Sequence, residues 1–115
     1  MRVSLKGTNI QLLESTREYV DKKIVRSAEK LLVHDGDALS LEIEVGKTTR
    51  HHKTGPYFRA EANLSVGKTM LRAEALGETL NEAIDLVEGE LTREIKKFKE
   101  KKRTMLLRSA RKIKL

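Results

Sequence analysis

Lysine and arginine are concentrated at the end of this chain. Ten of the twenty residues in 96–115 are basic and only Glu100 is acidic, so this segment has a formal charge of +9, whereas the other 95 residues carry −2 of the whole-chain +7. Such a local positive charge attracts a dense polyanion, most directly the phosphate backbone of a nucleic acid. The alternative is a solvated helix end, because the helix dipole favours cations there. We take RNA binding as the first hypothesis.

Further basic residues recur at helical spacing. Taking 100° per residue, three of them lie beside Tyr19 on one flank of a helix predicted over residues 13–32: Lys23, Arg26 and Lys30. Four more lie opposite the apolar stripe of a second predicted helix: Arg93, Lys96, Lys97 and Arg103. Exposed helix positions are also where solvated lysines ordinarily lie. If the two helices lie side by side, however, both groups border one surface that could straddle two phosphate strands.

No catalytic or metal-binding constellation can be assembled from local spacing. The chain has no cysteine, which excludes disulfides, thiol nucleophiles and zinc–thiolate sites and suits a cytoplasmic protein. The adjacent His51 and His52 have no carboxylate or cysteine at ligand spacing beside them, so neither a metal nor a cofactor is expected. No apolar run is long enough to span a membrane. The prediction is a protein that is not an enzyme and has no membrane segment.

Alternating and helical patterns predict an α+β domain. Strands with one apolar face are predicted at residues 2–6, 39–45, 58–66 and 71–77. With the two helices, the order is β-α-β-β-β-α. Because every element has a single apolar face, we expect a four-stranded sheet with both helices packed on one side. Its other face carries mixed charges and few aromatic residues, which favours recognition of phosphate and RNA shape over base stacking.

The chain is predicted to form one domain with a basic tail. Residues 1–103 contain all the strong periodic patterns, and residues 104–115 form the tail. If helical, the tail is weakly amphipathic, so binding to a membrane surface is conceivable. We instead expect it to be disordered in isolation and ordered on RNA.

Three groups of residues, taken in order, resemble a known family. The first is Arg17-Glu18-Tyr19-Val20 with Lys22-Lys23, after a strand ending Leu5-Lys6-Gly7. The second is Arg59-Ala60-Glu61-Ala62-Asn63-Leu64 with Leu71-Arg72-Ala73-Glu74, and the third is Ala83-Ile84-Asp85 with Leu91, Arg93, Lys96 and Lys97. This set resembles the short ribosome hibernation promoting factors and ribosome-associated translation inhibitors.

The resemblance implies a fold like the double-stranded-RNA-binding domain and a partner, the small ribosomal subunit with its rRNA. Family members dock in the decoding region and block messenger and transfer RNA sites in idle ribosomes. By resemblance, the RNA contacts fall on Lys23, Arg26, Arg93, Lys96 and Lys97, and also on Arg17 and Lys30. The chain has Gly89-Glu90 where the family tends to have Asp-Lys. The C-terminal domain through which long members pair ribosomes has no counterpart here, so we do not expect this chain alone to pair ribosomes, although a separate partner could promote it. We also expect the free chain to be a monomer.

Two other classes of function remain open from the sequence. The chain could be a protein-interaction or regulatory module whose basic tail docks an acidic partner. It could also be a small enzyme whose site is composed of residues distant in sequence, which a deep pocket with convergent polar groups would reveal.

Overall fold

Four strands and two helical stretches follow one another in the predicted order. The computed structural model describes residues 1–33, 39–48 and 58–113, without the side chains of residues 112 and 113. The strands are β1 (Arg2–Thr8), β2 (Leu39–Lys47), β3 (Phe58–Val66) and β4 (Thr69–Gly77). The helices are α1 (Glu14–Val20), α2 (Arg26–Leu31) and α3 (Leu80–Ile113), and a π-helical segment (Asp21–Val25) joins α1 to α2. We call α1, the π-helical segment and α2 together the first helical stretch. The predicted β-α-β-β-β-α order is confirmed.

The sheet has the strand order β1-β2-β3-β4. β1 runs parallel to β2, which the helical crossover between them permits, and β2, β3 and β4 form an antiparallel meander. Gly67 and Lys68 form the tight turn of the last hairpin, with Val66 opposite Thr69. Gly67 has a φ of 60°, a conformation that costs glycine little.

One hydrophobic core lies between the sheet and the helices. The strands contribute alternate residues, as expected for a sheet with one buried face. The buried side chains of the strands are Leu41, Ile43, Val45, Ala60, Ala62, Leu64, Val66, Leu71 and Ala73. Those of the helical stretches, with Leu32 directly after α2, are Val20, Ile24, Val25, Ala28, Leu32, Ala83, Ile84, Val87, Leu91 and Ile95. Because these residues form a single cluster, both helical stretches cover the same face of the sheet, as predicted.

The π-helical segment shifts the apolar stripe of the first helical stretch. A regular helix predicts Leu31 as the last buried residue, but Leu32 is buried and Leu31 only partly so. The wider turn inserts an extra residue into the period, which also buries Val25. The predicted apolar stripe is thus confirmed at Ile24 and Ala28 and differs at its end, where Leu32 takes the buried place expected for Leu31.

Helix α3 extends well beyond the core. Thr79 caps its start by accepting a hydrogen bond from the backbone N–H of Glu82 at 3.1 Å. The helix has 34 residues and is about 51 Å long at 1.5 Å per residue. Residues 99–111 are all exposed, and the molecule measures 64 × 28 × 19 Å. The far half of α3 is therefore a projection that makes the molecule elongated.

The structure of the tail differs from the sequence prediction. Residues up to Ile113 continue α3 instead of forming a separate disordered segment. Lys, Arg, Met and Leu are good helix formers, and a helix already nucleated in the core extends without a new nucleation cost. The division after residue 103 falls inside α3 and stays a prediction.

Candidate nucleic-acid interface

Polar contacts join the first helical stretch to α3 along a seam. The Tyr19 hydroxyl donates a hydrogen bond to Asp85 Oδ1 at 2.5 Å. Lys23 Nζ lies 3.8 Å from the same oxygen. One turn further along α3, Ser27 Oγ donates to Glu88 Oε1 at 3.2 Å. Asp85 and Glu88 of α3 thus face the first helical stretch and hold it in place.

Tyr19 and Lys23 are neighbours, as the sequence predicted. Lys23 Nζ lies 5.8 Å from the centre of the Tyr19 ring. The hydrogen bond to Asp85 is the main cause that raises the pKa of Tyr19 above 10.0; burial and the charges of Asp85 and Glu88 add to it. The phenol therefore stays a neutral donor, and Lys23 keeps 39% of its side chain exposed. Lys23 can thus reach a phosphate at the surface of the seam.

The seam ends at a lysine that the sequence analysis missed. Lys99 Nζ donates to the backbone carbonyl of Leu31 at 2.6 Å. Leu31 is the last residue of α2, where unpaired carbonyls and the helix dipole attract a cation. The sequence did contain a signal for this contact. Lys99 follows Ile95, which is buried, by one helical turn and so lies at the edge of the apolar stripe of α3.

Four of the predicted cations lie along this seam or at its end. On α3, Lys96 and Arg103 fall within about 60° of Lys99 at 100° per residue, so they lie on the flank nearest the first helical stretch. Lys30 directly precedes Leu31, the residue that Lys99 contacts. All three are exposed. We call this set the seam cations: Lys23, Lys30, Lys96 and Arg103.

Other predicted cations are paired with acids on their own helical stretch. The pairs are Arg26 with Asp21 at 3.7 Å, Arg93 with Glu90, and Lys97 with Glu94 at 3.9 Å. Exposed pairs of this kind contribute little free energy, so a phosphate can displace the acid. Arg93 and Lys97 lie on the flank of α3 away from Lys99. Helix α3 therefore presents its predicted cations over a wide arc of its exposed surface.

Four predicted cations have no acidic partner within 4.0 Å in the described part of the chain. They are Arg17, Lys30, Lys96 and Arg103. A cation without a local partner keeps its full attraction for an incoming phosphate. Arg17 is exposed on α1, one helical turn before Asp21.

The outer face of the sheet carries a balanced ionic network. Glu61 accepts hydrogen bonds from Arg59 at 2.6 Å and from Asn63 at 3.0 Å, and Arg72 lies 3.0 Å from it. Arg59 also donates to Glu74 at 2.9 Å. These contacts neutralise one another, so this face offers no net positive surface to RNA.

We expect Glu61→Gln to destabilise the domain at neutral pH and to matter less in acid. The hydrogen bond from Asn63 is the main cause that lowers the pKa of Glu61 below 4.5; the hydrogen bond from Arg59 and the charges of Arg59 and Arg72 add to it, against the opposite effect of burial. A lowered folded-state pKa stabilises the fold above the unfolded pKa, and this contribution is lost as the pH falls through the folded value. Urea unfolding of both proteins at neutral and acidic pH measures the difference. An equal difference at both pH values would contradict this account.

Two kinds of feature are absent from the described part of the chain. Within residues 1–33, 39–48 and 58–113, no helix is long and apolar enough to cross a membrane. The same residues contain no group of three or more His, Asp or Glu side chains placed to hold a metal ion. His34, His51 and His52 lie outside the described residues.

Comparison with known proteins finds a relative that is similar in sequence over most of this chain. The chain is 31% identical over 108 residues to a ribosome hibernation promotion factor from Picosynechococcus sp. (strain ATCC 27264 / PCC 7002 / PR-6), covering 88% of this chain and 50% of the relative. It therefore spans about half of that relative's length.

Two solved structures share the architecture. The N-terminal domain of Thermus thermophilus Protein Y superposes with a TM-score of 0.67 at 24% identity, covering 85% of this chain and 99% of that one. A ribosomal subunit interface protein from Coxiella burnetii superposes with a TM-score of 0.67 at 16% identity, covering 87% and 99%. Residues 3–103 match the family described as Sigma 54 modulation protein / S30EA ribosomal protein. The resemblance seen in the sequence is thus confirmed, and the chain belongs to this family.

Proposed function

We propose that this chain binds the small ribosomal subunit, contacts its rRNA near the decoding region and thereby blocks the sites of messenger and transfer RNA. One observation carries the proposal: the exposed, basic part of α3 adjoins the end of α2, where Lys99 joins the two helices. This arrangement places the seam cations along one elongated surface. Family membership and the name of the Picosynechococcus relative support the ribosome as the partner.

The proposed binding is electrostatic. Each seam cation that meets a phosphate releases a condensed counterion into solution, and this release favours the complex. Lys96 and Arg103 are seven residues apart, or about 10 Å along α3. Lys23 and Lys30 lie across the seam on the first helical stretch. The surface can therefore contact phosphates on both sides of an RNA groove, while Arg17, Arg26, Arg93 and Lys97 reach phosphates at its margins.

The bound protein acts by occupying space. A domain with a long, rigid basic helix fills part of an RNA-lined channel and prevents a second polyanion from entering it. Such inhibition needs no reacting group. We therefore propose a binding protein that is monomeric when free and acts in the cytoplasm, where ribosomes are found.

Co-sedimentation with separated ribosomal subunits tests the proposal. We expect the chain to pellet with the small subunit and to be displaced by messenger and transfer RNA added together. If six to ten phosphates are contacted, affinity should fall by about 10³ to 10⁵ between roughly 50 and 200 mM salt. Binding to the large subunit alone, or affinity that does not change with salt, would refute it.

A further inference from the structure

The projecting half of α3 carries an apolar groove that the core leaves unfilled. The groove has a volume of about 500 Å³, and Thr69, Phe98, Met105 and Leu106 are among the residues that line it. It continues the apolar stripe of α3 past the end of the sheet. Met105 is 60% exposed and Leu106 is 63% exposed. Large apolar side chains that stay together in water mark a surface that another molecule covers.

Cations border this groove. Lys101 and Lys102 are among its lining residues. A neighbouring depression shares Met105 and Lys101 and is lined also by Lys97, Arg108 and one acid, Glu100. Positions three and four residues from Met105 are its neighbours on a helix surface, so Lys101 and Arg108 flank it directly. With four cations against one acid, the groove is apolar at its floor and has a net positive charge at its edge.

We propose that this groove binds an amphipathic helix of an acidic protein partner. From Phe98 to Ser109 the groove extends about 16 Å along α3, which matches three turns of a helix. Apolar residues of the partner at i, i+3, i+4 and i+7 would cover Met105 and Leu106. Acidic residues on either side of that stripe would meet Lys101 and Arg108. The positive edge of the groove favours a partner with negative charge, and the apolar floor favours a partner helix with one apolar face.

Two other occupants fit these observations less well. A second copy of the chain would bring another segment of charge +9 against the first, and like charges at close range oppose association. RNA would pair with Lys101 and Arg108 but would leave Met105 and Leu106 without an apolar partner. The groove also lies on a different flank of α3 from Lys96, so partner binding and ribosome binding can be tested separately.

Methionine-methyl NMR reports directly on the groove. The chain has three methionines, of which Met105 lies in the groove and Met70, 60% exposed on the sheet, does not. The probe is a synthetic helical peptide of about 18 residues with leucines on one face and glutamates elsewhere. We expect it to shift the methyl signal of Met105 and to leave those of Met70 and Met1 unchanged. A shift common to all three methyls would overturn the proposal.

Affinity measurements with matched variants complete the test. Met105→Gln/Leu106→Gln keeps helix propensity and charge, and we expect it to weaken peptide binding at least about tenfold. The control Leu107→Gln changes a neighbour that is 52% exposed and does not line the groove, and should bind normally. The double variant should still pellet with ribosomes like the wild type, so failure here is distinct from failure of the proposed ribosome binding.

Three results would overturn the partner assignment. A scrambled peptide of equal composition that binds as tightly would show that charge alone acts. Protein-free RNA that binds tenfold more weakly to Met105→Gln/Leu106→Gln than to Leu107→Gln would identify RNA as the occupant. A dimer in sedimentation equilibrium that only the double variant abolishes would identify a second copy.

Discussion

Lys30→Glu/Lys96→Glu is expected to bind the small ribosomal subunit about 100-fold more weakly than the wild-type chain at low salt. Both residues are exposed seam cations without an acidic partner in the described part of the chain. Each substitution removes a phosphate contact and adds a repelling carboxylate. If both lysines contact phosphate, the slope of log affinity against log salt should also decrease by about two. Co-sedimentation across a salt series measures both quantities.

The matched control is Lys6→Glu/Lys68→Glu. It changes the net charge by the same amount at two exposed positions, one on β1 and one in the β3–β4 turn. We expect this control to lose much less affinity and to keep the wild-type slope. Equal losses in the two double variants would mean that total charge, and not the seam, determines binding.

Gly46→Ala is expected to lower the free energy of unfolding by about 3 kcal/mol, or the melting temperature by about 10 °C. Gly46 is buried in β2 and lies opposite Thr8 of β1. A Cβ atom there would lie 2.1 Å from the Thr8 carbonyl oxygen, so the two strand backbones would have to separate. The substitution would also disturb the hydrogen bond from Thr8 Oγ1 to Glu44 at 2.6 Å. Thermal and urea unfolding measure the loss.

Gly89→Ala provides the contrasting control. Gly89 is exposed within α3, and apart from its chain neighbours and the adjacent backbone of the helix, no atom lies within 4 Å of an added Cβ. Alanine has the higher helix propensity, so this variant should be more stable by about 1 kcal/mol. A loss of stability in Gly89→Ala similar to that in Gly46→Ala would contradict the steric explanation.

The sequence predicted the fold well because its signals are local and repeated. Alternation in β2 and β3 requires a sheet with one buried face, and the stripe from Ala83 to Ile95 requires a helix lying on it. The exposed charge of α3 could also be predicted. Its continuation as a helix to Ile113 could not, because the tail alone has too weak a pattern and becomes helical as an extension of a packed helix.

Details of the candidate interface needed three-dimensional information. The π-helical segment inserts one residue, and no periodicity in the sequence marks where that occurs. The contacts of Asp85 with Tyr19 and Lys23, and of Lys99 with Leu31, join residues more than sixty positions apart. Glu90 stands where the family tends to have a lysine, and it pairs with Arg93. The effect of this pair on RNA binding depends on which flank of α3 faces the ribosome.

The continuity of α3 also determines when conformational entropy is lost. A disordered basic tail would lose that entropy on meeting its partner, and its affinity would be reduced accordingly. Here the backbone from Leu80 to Ile113 is already ordered by folding, so its cations are held at fixed intervals before binding. Preorganisation of this kind lowers the entropic cost of the complex and makes the spacing of charges a determinant of which polyanion fits. Breaking the helix, without removing a single lysine, should therefore weaken recognition.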